Sequence, residues 1–480
     1  MNFSPIVLEV CVVSVGIFLL MIESFTKVDK RSIGWSAIFG LLAVLGLSFF
    51  VGPMAVRGIP ADFYLVDPLA LFFKRFLLIS AILTVALAMD YAPFFKRFIP
   101  SSGGEAGIGE FFILPVFACA GLMWLVSAAD FIMIFVSLEL VTVAFYILVA
   151  SMRKNLGSLE AGVKYLILGA LSTGFLVYGI TWIFGLTGQT SLAGIENVLP
   201  ALRQGYQTAL MFGLGLVLVA IGFKVAAVPF QFWVPDVYQG APTPVTAYLS
   251  IASKAAGFVV LLRVVQPFLT IPALEHKVLA VLTILAALTL IYGNLAAMPQ
   301  TNLKRLLAYS SIAHAGYLLV GVASVQSASA GPAIAFYLAG YLLMTFLAFA
   351  VLIHVGMAGG DEISDFNGLG KRSPFLAFGM LVSMLSLAGL PFTVGFLGKF
   401  LIFEAAMQSG QYVLVGLGMI TVACGFYYYL KVVRAMYWQP APEAAAAIPV
   451  PALTKLLIAL LTAAIVFFGI FPQPLLNALK

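Results

Sequence analysis

Fourteen apolar stretches run along the chain, each bounded by charge or by glycine and proline. They fall at about 4–24, 33–53, 68–90, 110–127, 129–150, 159–186, 207–228, 243–267, 277–298, 305–325, 332–357, 374–408, 411–437 and 453–476. A helix needs roughly 20 apolar residues to cross a bilayer, so the pattern predicts an all-α polytopic membrane protein with about fourteen spanning helices. Two polar stretches, Tyr91–Gly109 and the Pro/Ala-rich Trp438–Pro451, interrupt the series. They set off three N-terminal helices (1–109) and a linker with one C-terminal helix (438–480). The ten-helix centre divides into two five-helix units, 110–267 and 268–437.

These two units read as copies of one another. Ala161-Gly-Val-Lys-Tyr-Leu166 echoes Ala333-Ile-Ala-Phe-Tyr-Leu338, and Thr173 then falls against Thr345. Phe145-Tyr146-Ile-Leu-Val149 echoes Gly316-Tyr317-Leu-Leu-Val320. Val228-Pro229-Phe230 echoes Leu390-Pro391-Phe392, each triplet within a long apolar segment. Proline removes a backbone donor and clashes one turn back, so the seventh and twelfth helices are expected to be broken at Pro229 and Pro391. A unit of five helices is odd in number, so its second copy runs with inverted topology. Inverted repeats with matching broken helices are a transporter pattern, and the breaks point to the ion path.

Composition narrows the class. Apolar residues make up 62% and charged residues 9%, against about 25% charged in a soluble domain. Forty-one phenylalanines exclude a disordered chain. The net charge of +6 reads as a topology signal rather than as affinity for nucleic acid. The odd-numbered loops hold Lys27, Lys30, Arg31, Lys96, Arg97, Arg153, Lys154, Lys304, Arg305, Lys371, Arg372, Arg434 and Lys455; the even-numbered loops hold Arg57, Arg203 and Lys277, and Lys480 ends the sequence. Cytoplasmic loops retain Lys and Arg, so the odd loops are expected in the cytoplasm and both termini on the opposite side. Lys74 and Arg75 fit neither set and leave the start of the third helix open. MNFSPIVLEV lacks a basic leader, so the first segment reads as a retained span.

The three cysteines, Cys11, Cys119 and Cys424, are far apart, and His276, His314 and His354 have no helical i, i+4 pairing. No metal, iron–sulfur or disulfide framework is expected. Gly213-x-Gly215 lies inside an apolar helix and reads as helix packing.

The informative charges lie where lipid or packed helix should be: Glu139, Lys164, Lys224, Lys254 and Lys399. Each costs roughly 3 kcal/mol or more at mid-bilayer, and intramembrane ionisable groups are functional by default. Desolvation favours a neutral lysine amine and a nearby carboxylate favours the ammonium form, so a chain of such lysines makes a proton relay. Glu139 is the natural partner of a lysine; Lys164 has a structural pairing with Glu139 as its alternative. His314, in AYSSIAHAGYLL, suits either a relay or a hydrogen-bonded core position. His354, Glu9, Arg263 and Glu404 lie near helix ends and read as structural.

Three stretches carry a resemblance. FKVAAVPFQFWVPDVYQGAPTPVTAYLSIASKAAGF (Phe223–Phe258), LKRLLAYSSIAHAGYLL (Leu303–Leu319) and GLPFTVGFLGKF (Gly389–Phe400) resemble the antiporter-like subunits of proton-pumping NADH:quinone oxidoreductase, respiratory complex I. EAGVKYLILGALSTGFLVYG (Glu160–Gly179) is most similar to subunit N. Subunit L would continue into a long amphipathic helix, and subunit M typically has Glu where this sequence has Lys399. Gln231 stands where the family often has His, which puts a proton role for that position in doubt.

The resemblance implies that Glu139 tunes Lys224, Lys254 carries the proton to the centre, and Lys399 hands it to the exit side. Lys164 and His314 match positions on the same axis. It also implies a multi-pass subunit of the bacterial inner membrane, moving protons as quinone is reduced elsewhere in the complex. Subunits M, K and J would be its neighbours in the bilayer. No cofactor is expected in this chain; FMN, iron–sulfur clusters and quinone would sit on partner subunits. The rival expectation is a subunit of a cation/proton antiporter.

Overall fold

The computed structural model describes residues 4–53, 60–100, 107–441 and 447–478. Arg57 and Lys480 lie outside them, as do the middles of both predicted linkers. In chain order the helices are α1 (Val7–Phe25), α2 (Lys30–Ser48), α3 (Pro68–Phe95), α4 (Ile108–Ser127), α5 (Phe131–Val149), α6 (Leu156–Thr187) and the short α7 (Leu192–Val198). There follow α8 (Gln207–Val225), α9 (Trp233–Gly240), α10 (Thr243–Tyr248), α11 (Lys254–Val265), α12 (Pro272–Ala297), α13 (Leu303–Ala323) and α14 (Ala330–Ala358). The last are α15 (Leu369–Arg372), α16 (Pro374–Ala388), α17 (Val394–Gln408), α18 (Tyr412–Trp438), α19 (Ala452–Ile470) and α20 (Gln473–Asn477). Among the described residues only isolated bridges, and no strands, accompany them. Thirteen helical stretches there are long and apolar enough to span a membrane, and the broken pair α16–α17 supplies a fourteenth crossing.

The helix starts follow local chemistry. Asp67 accepts from the Ala70 amide at 2.7 Å with Pro68 in the first helical position. Asp130, Asn155 and Asn302 cap α5, α6 and α13 in the same way. α3 outruns its apolar run by five residues, passing through Pro93 to Phe95. Its last turn is held by aromatic packing, with the Phe95 and Phe111 rings stacked 4.2 Å apart. Gly213 does serve packing: a Cβ at Gly179 would meet the Gly213 carbonyl oxygen at 2.7 Å, so α6 and α8 touch backbone to backbone.

The expected breaks are present in both repeats. α8 stops at Val225 and the chain resumes as α9; α16 stops at Ala388 and resumes as α17. The two non-glycine residues with positive φ among the described residues sit at these breaks, Ala226 at 65° and Phe392 at 67°. Such conformations cost of order 1–3 kcal/mol and persist where surrounding structure imposes them. At the first break the freed groups find partners. The Val228 amide donates to Thr289 Oγ1 at 2.9 Å, and Trp233 Nε1 donates to the Phe223 carbonyl at 2.9 Å. The eighth crossing carries a different irregularity, a π-helical stretch at Leu249–Ser253 immediately before Lys254, a device that recurs at functional sites.

Lys74 and Glu9 form a fully buried ion pair at 2.8 Å between α3 and α1. Tyr64 bridges them, accepting from Lys74 at 2.7 Å and donating to Glu9 at 2.9 Å. This pairing explains why Lys74 fits neither loop set: it belongs to helix packing rather than to topology. Two turns earlier on α3, Asp67 pairs with Arg263 of α11 at 2.9 Å.

Candidate functional site: a buried polar axis

α13 is the pillar of the site, buried along its whole apolar window. Ser310, His314 and Tyr317 fall at i, i+4 and i+7, one face of a helix, with Ser311 beside them. Lys254, at the start of α11, donates to the Ser311 carbonyl at 2.7 Å and also to Ser311 Oγ. Tyr238 of α9 hydrogen-bonds the same Oγ at 3.0 Å. Ser310 Oγ pairs with the Tyr429 hydroxyl of α18, and that hydroxyl lies 3.0 Å from His314 Nε2. His314 Nδ1 lies 2.7 Å from the Tyr337 hydroxyl of α14. His314 is thus held on both ring nitrogens in the core, between the Lys254 contact and the Tyr317 ring.

Lys399 closes the far end. Its amine lies 5.1 Å from the centre of the Tyr317 ring and donates to the Leu387 and Ala388 carbonyls at 2.8 Å each. These are the unpaired carbonyls that end α16, where the helix dipole favours a cation. Gly389 is required here twice over: its φ is +93°, and a Cβ would meet Lys399 Nζ at 3.2 Å. Gly395 lets α17 abut the Ser386 backbone of α16, and Gly398 seats Tyr337.

Lys224 sits in the last turn of α8, 5% exposed, with its amine 3.4 Å from Thr142 Oγ1 of α5. Gly257, one turn past Lys254 on α11, leaves room for the Lys224 stem, whose Cγ would lie 3.5 Å from an added Cβ. Glu139 is one turn before Thr142 on α5 but makes no direct ion pair with Lys224; it accepts from Thr173 of α6 at 2.7 Å. The expected carboxylate–lysine contact is therefore indirect, because Thr142 occupies the position nearest the amine. Gln231 is buried beside the Pro229 break and its Oε1 has no hydrogen-bond partner.

Lys164 is placed apart from this axis. Its side chain is 42% exposed and pairs with Glu160 and Asp236, each at 2.7 Å, not with Glu139. The span beginning at Leu156 puts Lys164 only two turns from the helix start, so it opens onto a charged cavity. That cavity, about 670 Å³, is also lined by Gln239, Lys304, Arg305 and Asp361. Arg305 donates to the other Asp236 oxygen at 2.8 Å.

The structure therefore gathers Lys254, His314 and Lys399 along α13 and places Lys224 beside Gly257. Glu139 is half-buried at the α5–α6 face and Lys164 lies at a mouth. Tyr337, Tyr429 and Thr142 carry no signal in the sequence, since a lone Tyr or Thr in an apolar helix is commonplace, and Asp236 and Tyr238 fall between the expected spans 207–228 and 243–267, where a charge or a hydroxyl is ordinary.

Residues 128–425 match the family described as NADH:quinone oxidoreductase/Mrp antiporter, TM. NADH-quinone oxidoreductase subunit N of Heliobacterium modesticaldum is 41% identical, the alignment covering 99% of this chain and 98% of that one. Subunit N of Trichlorobacter lovleyi is 40% identical over 92% of this chain and 89% of its own. Among solved structures, a chain of respiratory complex I from Thermus thermophilus with bound aureothin superposes with a TM-score of 0.81 at 32% identity, covering 98% of this chain and 99% of that one. A chain of the archaeal membrane-bound sulfane sulfur reductase superposes at 0.86 with 23% identity over 98% and 95% of the two chains, a likeness of fold. The inverted five-helix repeats, their matched breaks and near-full-length identity of about 40% agree: this chain belongs to the subunit N family of NADH-quinone oxidoreductase, within the antiporter-like membrane proteins.

Proposed function

We propose that this chain translocates protons as a membrane-arm subunit of an NADH:quinone oxidoreductase, driven by quinone reduction elsewhere in the complex. The observation that carries the reading is the series of buried amines and hydroxyls from Lys254 through Ser311, Ser310, Tyr429 and His314 to the Tyr317 ring and Lys399. A packed apolar interior gains nothing from such a series, since each buried charge costs unless it is paired. Lys224 loads from the α5 side, where Glu139 supplies the negative field. Lys254 carries the proton to the centre and Lys399 releases it at the second break. FMN, iron–sulfur clusters and quinone belong to partner subunits, and subunits M, K and J are its membrane neighbours. The lysine- and arginine-rich loops face the cytoplasm, which puts both termini on the periplasmic side of a bacterial inner membrane.

A subunit of a cation/proton antiporter is the competing reading, because the matched family description covers Mrp antiporters as well. The relatives named subunit N favour the oxidoreductase. Co-purification with flavin- and cluster-bearing chains decides between them. The relay itself is tested by Lys224→Met, which keeps the stem and removes the amine. Quinone reductase activity coupled to pumping is expected to fall strongly in an assembled complex. Normal turnover and pumping in that variant would sink the assignment.

A further inference from the structure

Helix α9 is the detached half of the seventh crossing. No continuous helix connects it to α8, so its position depends on side-chain and backbone fastenings. Three of these join it to α13: the Asp236–Arg305 ion pair at 2.8 Å, the hydrogen bond from Arg305 to Gln239 at 3.0 Å and the Tyr238–Ser311 hydrogen bond at 3.0 Å. A fourth joins it to α6, through Asp236 and Lys164 at 2.7 Å. Both oxygens of one carboxylate are thereby engaged by cations from two different helices, at the edge of the charged cavity. Tyr238 itself is fully buried, and its carbonyl accepts from Thr246 Oγ1 at 3.1 Å.

Among the described residues Lys254 has no carboxylate partner; the donor contacts it makes there both go to Ser311. How well the ammonium form is held therefore depends on where Ser311 Oγ points; Tyr238 is bonded to that oxygen, and Tyr341 of α14 faces the same side chain. The short helix links the two ends: Asp236 sits at the charged mouth and Tyr238, two residues on, at the buried lysine.

We propose that Asp236 is a positioning residue for proton loading. Its pairing with Lys164 and Arg305 fixes α9 so that the Tyr238 hydroxyl holds Ser311 in place against Lys254. Lys164 then serves as half of a charge latch at the mouth rather than as a carrier on the axis. The assignment rests on the reading of Lys254 as a proton-carrying lysine. The titratable groups facing Lys254 and Ser311 are Tyr238 from α9, His314 from α13 and Tyr341 from α14. Those facing Asp236 are Lys164, backed by Glu160, from α6, and Arg305 and Tyr309 from α13.

The test uses the whole complex carrying Asp236→Asn, Asp236→Glu, Tyr238→Phe or the Asn/Phe double variant, with assembly quantified in each. Quinone reductase activity and proton pumping are measured across pH. Weakening one hydrogen bond on Ser311 makes the ammonium form harder to hold, so Asp236→Asn and Tyr238→Phe each move the alkaline limb of the profile down by roughly half a pH unit. The double variant moves it no further than the larger single change, and Asp236→Glu restores most of the shift. An unchanged profile in assembled Asp236→Asn overturns the proposal, as do equal damage from Asn and Glu or additive shifts in the double variant. Should Asp236→Asn fail to assemble, Tyr238→Phe carries the test, since it removes only a buried hydroxyl; an unshifted profile there overturns the proposal too. Lys254→Met separates the two readings. Normal pumping in that variant removes the proton-carrying role itself, whereas blocked pumping with wild-type behaviour of Asp236→Asn removes only the latch.

Discussion

Removing the Lys74 amine should damage this chain more than removing Lys74 and Glu9 together. The pair is completely buried at 2.8 Å, where two unit charges attract by about 6 kcal/mol at an effective dielectric constant of about 20. That attraction offsets a desolvation cost of several kcal/mol per ion, so the intact pair contributes little net stability. Lys74→Met leaves the Glu9 carboxylate buried with only the Tyr64 hydroxyl to solvate it, and its Oε2 already lacks a partner. Breaking such a pair costs about 3–5 kcal/mol, whereas replacing both members is often close to neutral.

The Tyr64 phenol, lying outside the spans, stays a donor well into alkaline conditions, because burial and the Glu9 carboxylate both push it far above its usual value. The bridge is therefore intact throughout the working pH range. Four proteins are compared: the parent, Lys74→Met, Glu9→Gln and the double variant. The measurements are the amount of folded chain in membranes and the loss of helical signal with denaturant. The double variant should retain about 3 kcal/mol more than the sum of the two single losses would allow. Additive losses, or a single variant as stable as the parent, would refute the reasoning.

Two further outcomes bear on the axis. Glu139→Gln is expected to impair pumping in the assembled complex while Glu139→Asp retains much more, because the carboxylate acts through its charge across Thr142; equal losses would make it a packing residue. Lys254→Met and Lys399→Met should each block the same flux, so the double variant loses little beyond the worse single one. Separate sites would instead add their costs, as distant unrelated positions do.

Much of the architecture was legible because the membrane imposes a coarse rule: every span must be apolar and helical. The breaks were legible because proline has one local consequence, and Pro229 and Pro391 recur in matching contexts. What the pattern could not carry was pairing across helices. Lys164 and Lys224 look alike in sequence, each a lysine in an apolar helix, yet one reaches a cavity at the surface and the other is sealed against Thr142 and Gly257. Lys74 and Glu9 lie 65 residues apart in helices that give no periodic hint of contact. Burial of a charge is decided by the neighbours a helix acquires, and hydropathy holds no record of those.

The same distinction explains why the hydroxyls were missed while the lysines were not. A lysine in a span is costly wherever it points, so its presence alone demands a reason. A serine or threonine is tolerated in the same place, because its hydroxyl can bond the carbonyl a turn earlier, as Thr142 does with Leu138 at 2.5 Å. A tyrosine is tolerated because most of its side chain is apolar ring. Yet Lys254 and Lys399 do not touch one another: Lys254 meets Ser311, and the neighbouring Ser310 meets Tyr429, which reaches His314. Lys254 and Lys399 sit at the two ends of the polar axis, and hydroxyls of α13 and α18 lie between Lys254 and His314. Substituting a hydroxyl beside that series is therefore the sharper probe: Tyr238→Phe leaves every buried charge where it was and removes only a group that holds Ser311 against Lys254.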